Sequence, residues 1–76
     1  MKVTVTVRDI QRGKACSARN CPIAHATKRA FHTKNVVVLW NLRIDGRRYD
    51  MPNRALRFMR RFDDGESVAP FTFTVE

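Results

Sequence analysis

The sequence predicts an α+β domain in the order β-α-β-β-α-β, folded as a four-stranded, mainly antiparallel sheet with two short helices on one face. Three observations predict it. Val3-Thr4-Val5-Thr6-Val7 and Phe71-Thr72-Phe73-Thr74-Val75 alternate between apolar and threonine side chains, the period of two expected of half-buried strands. Asp45-Gly46 separates two further extended runs and fits a two-residue type I′ hairpin, in which both central positions need φ > 0. Pro22 to His32 and Asn53 to Phe62 carry apolar residues at helical spacing. The ferredoxin-like topology has this element order, and the shortness of the helices also admits a smaller variant. The 76 residues make one domain, 1–76. A chain of this size buries a modest share of its surface and has little room for a deep, walled active site.

In chain order, the valines of the first strand are expected inward and its threonines outward. Asp9 to Arg19 has no apolar period, carries Arg12, Lys14 and Arg19 around Gly13, and reads as a basic loop. Asn20 or Cys21 then caps a helix with Pro22 in its first turn, where a missing N–H is not needed. Ile23, Ala26, Ala30 and Phe31 form its inner face; His25, Lys28, Arg29 and His32 share the outer one, at i, i+3, i+4 and i+7. Asn35 to Ile44 reads as the longest strand. Val36, Val38, Trp40, Leu42 and Ile44 point to one side, Val37, Leu39, Asn41 and Arg43 to the other. The hairpin register pairs Ile44 with Arg47, Arg43 with Arg48, Leu42 with Tyr49 and Asn41 with Asp50. Met51-Pro52 ends that strand and opens the second helix. This helix has an apolar stripe of Ala55, Phe58, Met59 and Phe62 beside a basic stripe of Arg54, Arg57 and Arg61, and it stops at Asp63-Asp64-Gly65. Arg60 is within one turn of Asp63 and Asp64. Pro70 marks the start or the edge of the last strand.

Fifteen Lys and Arg against seven Asp and Glu give a net charge of +8. Such an excess favours nucleic acid, a nucleotide, an acidic protein surface or an anionic membrane as partner, against the plainer reading that charge only keeps the chain soluble. Arginine supplies most of it, and its planar fork suits phosphate and carboxylate. No apolar run approaches the about 18 residues needed to cross a bilayer. The alternating start after Met1-Lys2 is unlike a signal peptide, and two cysteines are too few for a disulfide framework. The expectation is a cytoplasmic protein without a membrane partner, monomeric or homodimeric.

Three arginine-rich places are candidate binding sites. Arg54, Arg57, Arg60 and Arg61 present a basic helix face able to lie along phosphates; the alternative is a solvated face whose stems cover the core edge. Arg43 and Arg48 are placed opposite one another on the uncovered sheet face, where like charges destabilise unless an anion, or Asp45 or Asp50, neutralises them. Exposed Val37 and Leu39 on that face suit a dimer or inhibitor contact equally well. Arg12, Lys14 and Arg19 precede a helix N-terminus, a place that attracts small anions or nucleotides, but Arg-Gly-Lys-Ala-Cys-Ser lacks the spacing of a P-loop. Base readout would need amide or aromatic groups among the arginines, and the second helix offers only Asn53, so sequence-specific DNA reading is disfavoured.

Cys16, Cys21, His25 and His32 have the spacing Cys-x4-Cys-x3-His-x6-His, outside the usual zinc patterns. A structural Cys21 with surface histidines is the preferred reading. A Cys21 nucleophile would need a group to orient its base, and none is evident. No metal, no cofactor and no catalytic residue is therefore assigned.

Asn20-Cys21-Pro22-Ile23-Ala24, Asp45-Gly46-Arg47-Arg48-Tyr49, Pro52, Phe58-x-Arg60-Arg61-Phe62-Asp63-x-Gly65 and Pro70-Phe71-Thr72-Phe73 resemble small orphan proteins encoded by bacteriophages and prophages. The shared motifs are structural, and the resemblance implies no catalytic residue. It implies a phage accessory protein that binds and blocks a host machine or sequesters a defence signal, with nucleic-acid-handling complexes or nucleotides among the partners. The expected function is a small, non-enzymatic, basic binding protein that engages nucleic acid or a nucleic-acid-handling host complex.

Overall fold

The computed structural model describes residues 1–76 as an α+β fold. Its elements are β1 (Lys2–Val5), α1 (Val7–Arg12), α2 (Pro22–Phe31), β2 (Val36–Val38), β3 (Asn41–Ile44), β4 (Arg47–Asp50), α3 (Asn53–Asp63) and β5 (Phe71–Thr74). The strands form two antiparallel sheets, β1-β5 and β2-β3-β4, in place of the single four-stranded sheet of the ferredoxin-like expectation. There are three helices, not two.

The extra helix, α1, occupies the start of the expected basic loop. Thr6 and Asp9 close a capping box: Thr6 Oγ1 accepts the Asp9 N–H, and Asp9 Oδ2 accepts the Thr6 N–H. The helix breaks the alternation begun at Val3, so Val7 lies on the surface, not inside. Gly13 follows, with an ordinary backbone angle. It is small for a different reason: a Cβ there would overlap the Pro22 ring. This close approach seats the loop on the start of α2, where Cys21 is the N-cap and its Sγ accepts the Ala24 N–H at 3.4 Å.

The expected ten-residue strand is folded back on itself at Leu39-Trp40. Straight, it would run for about 33 Å, longer than the molecule's 30 Å main axis. Folded, it adds a second apolar row to the core: Val36 pairs with Ile44 and Val38 with Leu42, all four buried. Side-chain parity survives the turn. Trp40 alone departs from it, because it sits at the apex and is 76% exposed. The Asp45-Gly46 hairpin forms with both central residues at positive φ, +51° and +84°, and with the register read from the sequence.

Two contacts occupy the outer edges of β1 and β2. The Arg29 guanidinium donates to the Thr4 carbonyl at the outer edge of β1, at 2.8 Å. On the outer edge of β2 the Val38 N–H donates to the Ala18 carbonyl at 2.7 Å. One core joins the two sheets, built around Val3, Val5, Ile23, Val36, Leu42 and Ile44 and closed by Phe58 and Phe73.

Candidate functional site

Helix α3 is held by its apolar side. Ala55 and Phe58 are buried, and Leu56, Met59 and Phe62 are half-buried against the core. Phe58 packs against Phe71 of β5 with ring centroids 4.7 Å apart and the rings tilted by 32°. Gly65, at φ +79°, terminates the helix, with its own N–H and that of Glu66 returning to the carbonyls of Phe62 and Arg61. This seating leaves Arg54, Arg57, Arg60 and Arg61 exposed. An open groove of about 620 Å³ runs between the helix and Ser67–Phe71, with Phe58, Val68 and Phe71 on its floor and the arginines on its rim. A shallower one of about 380 Å³ lies on the other flank, beside Leu56, Arg57 and Arg60.

Among these four arginines only Arg61 has an acidic partner within 4 Å, Glu66 at 3.6 Å. Both side chains are more than half exposed, and such a pair holds its partners weakly. The expected bond from Arg60 to Asp63 or Asp64 does not form. Asp63 instead accepts the Cys16 N–H at 2.8 Å, pinning the loop to the end of α3.

Arg43 and Arg48 are direct cross-strand partners, both exposed, and Val37 completes their row across the sheet. Neither has an acid within ion-pair distance. Asp45 accepts a hydrogen bond from the Thr33 hydroxyl, and Asp50 pairs with neither arginine. No groove is lined by both this pair and the α3 arginines.

The third place is organised differently from the sequence expectation. Arg12 belongs to the last turn of α1, Lys14 and Arg19 are exposed in the loop, and the Lys14 N–H is bonded to the Asn20 carbonyl. Pro22, Ile23 and Ala24 are buried, so the first turn of α2 faces protein and has no open N–H cradle.

Cys21 is buried, and burial pushes its thiol up from the usual value, opposing the thiolate a nucleophile requires. Burial, with Lys28 and Arg12 nearby, holds His25 below the usual histidine range. No three of the cysteine, histidine and carboxylate side chains converge on a point.

Two features escaped the sequence reading. Arg29, placed there on an open helix face, makes a two-pronged ion pair with Asp9 at 2.7 and 2.8 Å. The Thr6-x-x-Asp9 capping signature was the available clue to a structured acid at that point. The other is the Leu39-Trp40 apex, which borders a small apolar cleft of about 240 Å³ with Ala18, Val38 and Met59. No periodicity rule distinguishes a turn apex from a strand residue. No helix is long and apolar enough to cross a membrane. No protein-family model, curated protein or solved structure matches the chain.

Proposed function

We propose that the protein is a small, non-enzymatic binding protein that engages nucleic acid through the arginine face of α3. The observation that carries this reading is the set of four arginines on one exposed helix, three of them without an acidic partner. A folded chain with a net charge of +8 does not gain stability by keeping such a cluster unpaired. A phosphate backbone supplies the missing anions at regular spacing. The helix offers Asn53 alone for base edges, which fits binding without sequence preference. The resemblance to phage and prophage accessory proteins, together with the cytoplasmic setting expected from the sequence, gives the reading its biological form: an accessory protein acting on nucleic acid or on a host complex that handles it.

A generic 20-base-pair duplex at low salt is the direct test. Binding is expected, and Arg57→Glu combined with Arg61→Glu abolishes it while leaving the fold intact by circular dichroism. A wild-type protein that ignores both duplex and single strands at low salt overturns the reading.

A second reading is a protein contact. It rests on Trp40, 76% exposed beside the 44% exposed Leu39, because large aromatic side chains in the open are concentrated at protein interfaces.

A further inference from the structure

We propose that the free edge of β5 is a strand-addition site, which takes an extended segment of a partner protein into the groove beside it. The site is separate from the arginine face used for nucleic acid, apart from Arg54 at their junction.

The backbone geometry establishes the edge. Met1 and Val75 exchange both backbone hydrogen bonds, at 2.9 and 2.8 Å. In an antiparallel ladder such pairs alternate with non-bonded ones. The register then makes Val3–Phe73 and Val5–Phe71 bonded pairs, and Lys2–Thr74 and Thr4–Thr72 non-bonded ones. The Thr4 and Thr72 hydroxyls, 3.1 Å apart, fit the closer approach of a non-bonded pair. Thr72 and Thr74 therefore turn their N–H and C=O groups away from β1, and no other strand pairs with β5. The outer edges of β1 and β2 are capped by Arg29 and by the Ala18 carbonyl. No such contact covers β5.

An unpaired edge is a template for main-chain pairing, and what lies beside it decides the occupant. Thr72, Phe73 and Thr74 line a groove of about 500 Å³ together with Met51 and Pro52. The edge is thus recessed. A second folded copy would have to bring its own Met51-Pro52 wall into the same space, whereas a single extended segment enters without one. Pro52 has no N–H and cannot compete for the edge. The charges at the groove are divided. Arg54 also borders the neighbouring groove that ends at Phe71, whereas Glu76 lies beyond the other end of β5, and Asp50 adds a second carboxylate. The complementary occupant is a β-prone segment with an acidic side chain toward Arg54 and a basic one toward Glu76.

The test uses two synthetic probes, acetyl-Lys-Val-Thr-Val-Thr-Glu-amide and its reversed sequence, which match the charge division in antiparallel and parallel pairing respectively. Amide hydrogen exchange is followed residue by residue in the full chain. One of the two probes is expected to slow exchange at Thr72 and Thr74 by about tenfold or more at saturation, with Phe73 unchanged because it is already bonded to β1. The same probe N-methylated at alternate amides has no effect. Thr72→Pro removes the outward N–H together with the exposed hydroxyl contact to Thr4, and Thr72→Val removes that contact alone; the fold and duplex binding persist in both, while the protection by the peptide is lost only in Thr72→Pro. Failure of both probes to protect these amides overturns the proposal, as does undiminished peptide binding by Thr72→Pro. Concentration-dependent protection without any probe, accompanied by a dimer in sedimentation, overturns it in favour of a second copy. None of these outcomes bears on duplex binding, which is measured separately.

Discussion

The Asp9 carboxylate is nearly buried, its side chain 6% exposed, and it meets every demand of that position. It accepts two bonds from Arg29 and one from the Thr6 N–H, and Arg29 spends its remaining reach on the Thr4 carbonyl. Burial alone would raise its pKa; the bonds from Arg29 and Thr6 outweigh burial and hold it below the usual carboxylate value. A carboxyl whose pKa is lowered by folding stabilises the native state fully above the unfolded value, near 3.8, and loses that contribution as the pH falls through the folded value. Arg29→Met leaves the carboxylate buried and unpaired. We expect a loss of about 2–3 kcal/mol in urea titrations at pH 7, below the full cost of breaking a buried pair because Arg29 is half exposed. Burial then dominates and lifts the Asp9 pKa above its unfolded value, so the deficit against the wild type is full at pH 7 and shrinks as the pH falls and the carboxyl takes up its proton. A deficit that does not shrink would mean that Arg29 is not what lowers the Asp9 pKa. Little of this was legible in the sequence. A capping box is a local pattern, but the arginine that completes it stands twenty positions away on another helix.

The elements that are defined by local chemistry were legible to the residue. Asp45-Gly46 sets a turn of one kind, and that turn sets the whole β3-β4 register, including the juxtaposition of Arg43 and Arg48. Pro52 and Gly65 punctuate α3 for similarly local reasons. The fold-back at Leu39-Trp40 was hidden because the turn lacks glycine or proline, and because parity is the same on either side of it. The separation into two sheets was hidden because the groups that take the outer edges of β1 and β2, Arg29 and the Ala18 carbonyl, come from segments distant in sequence. Of the candidate site, the arginine stripe on α3 was legible from helical spacing, while the groove beside it requires the return of Ser67–Phe71, which no local pattern specifies. The hairpin carries its own prediction. Like charges facing each other across two strands destabilise the pair, and no acid intervenes. Arg48→Glu converts repulsion into a cross-strand ion pair and should raise stability by about 0.5–1 kcal/mol at low salt, a gain that shrinks as salt is added. A loss of stability would show that an unseen contact already satisfies Arg48.

At the scale of the molecule, the charge is divided between surfaces that belong to different elements. Arg43 and Arg48 stand on the face of the β2-β3-β4 sheet opposite buried Leu42 and Ile44. The α3 arginines stand on the exposed flank of their helix, beside the buried row of Ala55 and Phe58. Both sets turn away from one shared core, in a body of 30 × 21 × 20 Å. A straight duplex rises about 3.4 Å per base pair along each strand, so ten base pairs already match the long axis of the protein and offer no means of curling around it. Duplex bound to α3 therefore reaches the three unpaired arginines, with Arg61 as a fourth once it leaves Glu66. Each phosphate neutralised contributes about 0.9 to the slope of log K against log salt, which gives a magnitude of about 3–4 for the wild type. Arg57→Glu alone should lower that slope by about one or more, whereas charge reversal at Arg43 and Arg48 should leave it unchanged. A slope above about five, or one that falls when Arg43 and Arg48 are reversed, would mean that the nucleic acid reaches both surfaces and that the protein bends or wraps its ligand.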